Sequence, residues 1–312
     1  MKDFRLRVER GLFAHDFRAH PDWPRSVYFK EQHALRQIGW MTAFENPPPL
    51  SNPITVAVLD DGVNAADPYL RGVVLPGTSL VSGQAWNKST NGRGTEVASI
   101  IASPANGGAF ISGVAISRAV ILPVRVIDDE NHLGDLAWGI RWAVSEGARV
   151  ILIPFSVGYC DDNVKSAVRY AWEAGAVIVA AAGDTPGAVR YPASFECVLG
   201  VSGTDAQDRL WTSSAYGKGA LISAPAVDVL ALQPNERIAY QTGTAYAAAL
   251  VAGAAALLWA YDPGLTNAQI VSRLVRTATP AKDAPGRVNL ALAIADRKTE
   301  SLVPNKGLRS RY

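Results

Sequence analysis

Residues 54–62 read Ile-Thr-Val-Ala-Val-Leu-Asp-Asp-Gly, an apolar run that ends on two acids and a glycine. Only one of the first six positions is polar, so the run does not alternate between apolar and polar side chains. A strand that is apolar on both faces belongs inside a sheet that is covered on both sides. We therefore expect residues 54–59 to form a buried strand, with Asp60 at its carboxyl end.

Similar β-rich runs recur along the chain, at residues 120–126, 150–155, 176–181 and 197–201. Helical patterns fit between and after them, at residues 133–146, 162–174 and 244–261. This alternation predicts an α/β fold: a doubly wound, mainly parallel sheet with helices on both faces, a three-layer sandwich. Ligands of such sheets bind at the carboxyl ends of the strands. Asp60, Ser156 and Asp184 each follow a predicted strand, so we expect them along one edge.

Composition argues against several classes of partner. The chain has 312 residues, of which 48% are hydrophobic, and can bury a large core. A net charge of +2 favours neither nucleic acid nor an anionic membrane. We also find no apolar segment that approaches the length of a membrane-spanning helix. With two cysteines and no apolar run near the N-terminus that resembles a secretory signal, we expect a cytoplasmic protein without disulfides.

The chain divides into three unequal parts. Residues 1–50 are predicted to be an N-terminal extension, rich in Arg, His and aromatic residues, that ends on a stiff Asn-Pro-Pro-Pro stretch. We expect it to pack on the body, although the sequence leaves open whether it fills a cleft or only decorates the surface. Residues 51–296 are predicted to form the α/β domain, and the charged residues 297–312 a solvated tail.

Eight short motifs follow one another along the chain in a set order. Three carry the most information: VAVLDDG at 56–62, GRGTEVA at 92–98 and GTAYAA at 243–248. Five more are FSVG at 155–158, AAGD at 181–184, YPAS at 191–194, SAPAVD at 223–228 and GRVN at 286–289. In order and spacing they resemble the subtilisin-like serine proteases (peptidase S8) across about residues 54–294. The first three resemble the blocks that hold the catalytic Asp, His and Ser.

The resemblance also implies that the catalytic machinery is degenerate. Arg93 stands where the family usually has the base His, and Ala245 where it has the nucleophilic Ser. A guanidinium has no acceptor for a proton, and a methyl group cannot attack a carbonyl. Asp184 stands where an Asn helps to hold the oxyanion, which a carboxylate would repel. Only Asp60 matches the family, so we do not expect a working serine protease.

The charged residues at these positions could pair with one another. The Arg93 guanidinium matches a carboxylate in fork geometry, and we expect it to bind Asp60. Glu96 lies three residues further along the same predicted helix, where it could brace Arg93.

Two functions from different classes remain. In the first, the chain is a pseudoprotease that binds a peptide or protein as an added strand along Ser156, Val157, Gly158 and Gly183, which requires no catalytic triad. In the second, Asp60, Arg93, Glu96 and Asp184 form a new acid/base site, for example for rearrangement or cyclisation of a peptide-derived substrate. The same charges could equally be a structural ion network. We favour binding over new catalysis.

No cofactor is predicted, and no metal. The acids near Asp60 are not accompanied by a His/Cys ligand cluster. The sequence also has no oxygen-rich loop with a convincing calcium spacing.

Overall fold

A computed structural model describes residues 27–45, 47–48, 53–89, 91–104, 111–128, 130, 132–233 and 237–296. In chain order, the strands are β1 (Ile54–Asp60), β2 (Thr78–Ser79), β3 (Ala119–Arg125), β4 (Val150–Ile153), β5 (Val177–Ala181), β6 (Gly187–Ala188), β7 (Val198–Thr204), β8 (Ala215–Tyr216), β9 (Ala220–Pro225), β10 (Val229–Gln233) and β11 (Arg237–Gln241). The α-helices are α1 (His33–Gln37), α2 (Trp40–Ala43), α3 (Arg93–Ala102), α4 (Leu136–Ser145), α5 (Asp162–Glu173), α6 (Thr244–Tyr261), α7 (Asn267–Arg276) and α8 (Leu290–Ala295).

The centre of the protein is a seven-stranded parallel sheet in the order β2-β3-β1-β4-β5-β7-β9. The predicted α/β fold is therefore confirmed. Strands β10 and β11 form a separate antiparallel pair, and β6 pairs with β8. The sequence analysis did not identify six of these strands, which are β2, β6, β8, β9, β10 and β11.

Strand β1 shows why its residues are apolar without alternation. Val56 and Val58 belong to one hydrophobic core, while Ala57 and Leu59 belong to a second core. Helices α3, α6, α7 and α8 contribute to the first core, and α4 and α5 to the second. Because successive side chains of a strand point to opposite faces, both faces of the sheet are covered, as predicted.

Helix α6 runs through the first core and has the bounds that the sequence predicted. All of its residues except Tyr261 are buried. By length and composition this helix could cross a membrane, so the expectation that no segment approaches such a length was wrong. Because 94% of it is buried inside the protein, it serves here as a core helix.

Helix α4 is shorter than predicted at its start. Leu133 forms an antiparallel bridge with Ile127, so residues 133–135 belong to the connection before the helix, which begins at Leu136. The side chain of Asp135 then accepts a hydrogen bond from the backbone of Trp138 and caps the helix.

The N-terminal extension packs on the body over residues 27–45, as expected. Trp40 is fully buried, stacks on Phe44 at 4.4 Å between ring centroids, and donates to the carbonyl of Val114. The backbone N–H of Leu290, at the start of α8, donates to the carbonyl of Ile38 over 2.7 Å. Residues 1–26 and the predicted tail 297–312 lie outside the described residues, and the three-part division of the chain stays a prediction.

Candidate functional site

The end of β1 and the start of α3 bring Asp60 and Arg93 together. Asp60 is fully buried, and the Arg93 side chain is 30% exposed. Arg93 Nε donates to Oδ1 and Oδ2 of Asp60 over 3.1 and 2.9 Å, and its Nη2 donates to Oδ1 over 2.6 Å. The ring of Phe155 lies 5.7 Å from the guanidinium carbon. The predicted pairing is confirmed.

Burial acts on both members of this pair, in opposite ways. It raises the pKa of the Asp60 carboxyl, while the Arg93 guanidinium acts in the other direction. Burial alone would lower the pKa of Arg93, but the Asp60 carboxylate outweighs it and raises that pKa. Arginine stays protonated in proteins, so Arg93 remains a cation and does not accept a proton.

Asp61, which the sequence analysis did not single out, fixes the start of α3. Its Oδ2 accepts hydrogen bonds from Ser89 Oγ and from the backbone of Asn91 and Gly92. Its Oδ1 accepts from the backbone of Gly94 over 2.9 Å. A carboxylate in this position satisfies helix N–H groups that have no partner within the helix. The sequence signal for this role was the pair of adjacent acids at the end of β1. Asp60 binds Arg93, and Asp61 caps the helix that carries Arg93.

Glu96 does not brace Arg93, and that expectation was wrong. Its Oε2 accepts from the Tyr246 hydroxyl over 2.5 Å, and its Oε1 accepts from the Gln233 amide. Burial raises the pKa of Glu96, although both of these hydrogen bonds act to lower it. Burial, helped by the nearby Glu96 carboxylate, also raises the pKa of Tyr246.

Asp184 does not join these charges either. Its Oδ1 accepts from the backbone N–H of Thr244 over 2.8 Å and from the Thr244 hydroxyl over 2.6 Å, so it caps α6. Among the described residues, no hydrogen bond or ion pair links Asp184 to Asp60, Arg93 or Glu96. The predicted four-residue cluster is therefore divided between three separate sets of partners.

Ala245 is the second residue of α6 and is 7% exposed. Its hydroxyl-bearing neighbours both have other partners. The Thr244 hydroxyl is bound to Asp184, and it also accepts from the backbone of Gly183 over 3.2 Å. The Tyr246 hydroxyl is bound to Glu96.

Within the described residues, the predicted peptide-binding edge has unpaired main-chain groups at two positions and is occupied at a third. Val157 exchanges two backbone hydrogen bonds with Tyr191, over 2.8 and 3.1 Å, so its main chain is unavailable to a ligand. Its neighbours Ser156 and Gly158 make no backbone hydrogen bond to any part of the chain that the structure describes. Gly183 is buried and lies close to Ser156. A Cβ placed on Gly183 would be 3.0 Å from Ser156 Oγ.

A groove of about 540 Å³ begins at Tyr159, directly after Gly158 in the chain. Its walls include three large, exposed apolar side chains, those of Leu133, Trp138 and Tyr159. The free backbone at Ser156 and Gly158 thus continues into an open, partly apolar depression. In the ranges that the structure covers, no group of three or more His, Cys, Asp or Glu residues is placed to hold a metal ion.

Comparison with known proteins places the chain in a known class. Residues 51–299 match the family model described as the subtilase family, peptidase S8. The chain is 34% identical over 250 residues to thermitase of Thermoactinomyces vulgaris, covering 77% of this chain and 88% of thermitase. The chain belongs to the subtilase family, and its homologues include subtilisin-like serine proteases.

Other relatives are longer, and solved structures share the fold. The chain is 37% identical over 226 residues to a thermophilic serine proteinase from Bacillus sp. (strain AK1), covering 72% of this chain but 56% of that protein. A solved protease from Pseudoalteromonas arctica PAMC 21717 superposes with a TM-score of 0.78 at 25% identity, covering 87% of this chain and 98% of that one. A prenylagaramide maturation protease gives a TM-score of 0.71 at 29% identity, covering 82% and 97% of the two chains.

Proposed function

We propose that this subtilase is a catalytically inactive member of its family, which binds a peptide or protein partner in the former substrate cleft. The observation that carries the proposal is the ion pair between Arg93 and Asp60. Three N–H···O contacts place a permanent cation on the acid that would otherwise orient an imidazole. Because Arg93 has no acceptor, it cannot activate a nucleophile.

Two further positions support the loss of proteolysis. Ala245 has no hydroxyl at the start of α6, and the hydroxyls of Thr244 and Tyr246 are bound to carboxylates. Asp184 directs an accepting oxygen at Thr244 rather than a donor at an oxyanion. Each change on its own would impair acyl transfer, and the three together remove its base, its nucleophile and one of its donors.

Binding is supported by groups that do not depend on this machinery. Ser156 and Gly158 have main-chain groups that no described residue occupies, beside a groove with exposed apolar walls. An extended peptide can pair with such an edge through its backbone and place a side chain in the groove. A Cβ added to Gly158 would meet no atom within 4 Å, so the space above it is open to a ligand.

The alternative, acid/base catalysis by Asp60, Arg93, Glu96 and Asp184, is not favoured by any contact among the described residues. The three acids bind three different partners, which are Arg93, Thr244 and Tyr246. Such separate contacts are typical of side chains that stabilise the fold. We retain a cytoplasmic location as part of the proposal, together with partners that are neither nucleic acid nor membrane.

The experiment that tests the binding proposal is capture of a random hexapeptide library on the immobilised full chain. We expect peptides to be retained by the wild type and lost in Gly158→Trp, which fills the open space beside the edge. Gly264→Trp is the matched control, since Gly264 is also exposed and also has room for a side chain. Equal capture by the Gly158 and Gly264 variants would refute binding at this edge.

A second experiment tests inactivity. The triple variant Arg93→His, Asp184→Asn, Ala245→Ser restores the three groups that proteolysis requires. We expect the wild type and the single variant Ala245→Ser to leave a fluorogenic peptide intact, and the triple variant to cleave it. Cleavage by the wild type would contradict the proposal.

A further inference from the structure

Arg190 lies beside the peptide-binding edge. Val157 and Tyr191 are directly opposite each other in an antiparallel bridge. The preceding residue, Arg190, therefore lies across from Gly158. A Cβ placed on Gly183 would lie 3.4 Å from Arg190 Cδ and 3.0 Å from Ser156 Oγ. The stem of Arg190 thus covers Gly183, next to the Ser156 hydroxyl.

The Arg190 side chain has no hydrogen bond or ion pair with any residue that the structure describes, in contrast to other charged side chains around the cleft. Asp135 and Asp161 cap α4 and α5. Asp184 caps α6, and Arg141 donates to Ser166. Arg190 is also exposed, so its guanidinium is available to an incoming ligand.

The backbone around Arg190 is fixed, although its guanidinium has no partner among the residues that the structure covers. Its N–H donates to the carbonyl of Ala182 over 3.0 Å, and its carbonyl accepts from the N–H of Ser194 over 3.0 Å. The cation is therefore carried by a part of the chain that is tied to the residues after β5, rather than by a loose loop. A group that binds it would be held in register with the edge at Ser156 and Gly158.

We propose that Arg190 makes the cleft selective for peptides that place a carboxylate beside Gly183, against the Arg190 guanidinium, with the Ser156 hydroxyl as a second donor. A strand that pairs with Ser156 and Gly158 directs alternate side chains to opposite faces, so one of them faces this position. A guanidinium binds a carboxylate through two parallel N–H···O bonds, and a hydroxyl can add a third. The inference rests on the proposed binding function and names the chemistry that it selects.

The carboxylate has two sources, an Asp or Glu side chain or the C-terminus of the peptide. Two N-acetylated random hexapeptide libraries distinguish them, one with C-terminal amides and one with free C-terminal acids. Each is captured on the wild-type chain, and the retained peptides are sequenced by mass spectrometry. Enrichment of Asp and Glu at one position of the amide library identifies the side chain. Preference for free acids whatever the sequence identifies the terminus.

Either preference is expected to disappear in Arg190→Gln, and a retained peptide is expected to bind about fivefold more weakly to this variant, the scale of an exposed ion pair. Arg169→Gln is the matched control, because Arg169 is an exposed arginine on α5, and it should bind as the wild type does. Thermal unfolding of both variants checks that they are folded.

The outcomes separate the inference from the function on which it rests. Capture of peptides without any carboxylate preference, unchanged in Arg190→Gln, would overturn the role of Arg190 and leave the binding function intact. Capture of no peptide by the folded wild type would overturn both.

Discussion

The hydroxyl of Tyr246 donates to Oε2 of Glu96 over 2.5 Å and so joins the first turn of α6 to the first turn of α3. Both residues are buried, at 8% and 5% exposure. The Gln233 amide, from the end of β10, binds the other oxygen of Glu96. The helix starts that carry Arg93 and Ala245 are thereby held in a fixed relation, whether or not the site performs chemistry.

Removing the Tyr246 hydroxyl tests this link. In Tyr246→Phe, Oε2 of Glu96 loses its donor while it remains buried, and we expect the free energy of unfolding to fall by about 1–3 kcal/mol. Urea denaturation measures the change. Tyr216→Phe is the matched control, because Tyr216 is 49% exposed, and it should change stability by no more than about 0.5 kcal/mol. Equal effects of the two substitutions would contradict the link.

Glu96 should make stability depend on pH. Burial raises its pKa in the folded protein above the ordinary value of 4.5, so the folded state binds this proton more tightly than the unfolded state. The resulting stabilisation is complete below pH 4.5 and is lost as pH rises through the raised pKa. In Glu96→Gln the amide at position 96 does not titrate. The free energy of unfolding of this variant, relative to that of the wild type, should therefore increase from pH 4 to pH 8.

Unfolding of the two proteins in urea at several pH values measures this difference. Asp60, whose pKa burial also raises, is present in both proteins, so only its electrostatic coupling to Glu96 differs between them. A wild-type advantage that grows with pH would show that the pKa of Glu96 is lowered instead.

The Arg93–Asp60 pair gives a third prediction. Arg93→Leu leaves a fully buried carboxylate without its cation, and we expect a loss of about 3 kcal/mol in the free energy of unfolding. Adding Asp60→Asn removes the buried charge. The amide oxygen can still accept the hydrogen bond that the backbone N–H of Asp61 donates to Asp60 Oδ1 over 2.9 Å. The double variant should recover much of the loss. A double variant less stable than Arg93→Leu would refute this explanation.

Trp40 provides a fourth prediction, for the extension. Its indole is fully buried, stacked on Phe44 and bonded to the carbonyl of Val114. Trp40→Ala should cost about 3–5 kcal/mol, the usual scale for a large aromatic removed from a core. Thr42→Ala, an exposed position in the same helix, is the control and should have little effect. A small effect at Trp40 would mean that residues 27–45 do not stabilise the body.

The parts of this fold that sequence predicted are those fixed by local pattern. Strand β1 and helix α6 are apolar on all sides, which identifies elements that are surrounded by core. The Arg93–Asp60 pair was also predictable, because the motifs place both residues at one site and a guanidinium needs an acceptor.

The rest depends on partners that are distant in sequence. The binding of Glu96 to Tyr246 spans 150 residues, and no helical spacing rule contains that contact. The backbone of Val157 is occupied because Tyr191 lies opposite it, which is a property of a bridge between two loops. The position of Arg190 follows from the same bridge, and the sequence carries no local signal for it.

The position of helix α6 late in the chain affects how the protein folds during synthesis. The helix contacts β1, β3, β4, β5, β7 and β9, yet it begins only at Thr244. During synthesis, the strands emerge before the helix that covers one of their faces, and the growing polypeptide exposes that apolar surface. A polypeptide that stops before residue 244 therefore lacks the helix that covers this face of the sheet, and its exposed apolar surface favours aggregation until α6 has been translated.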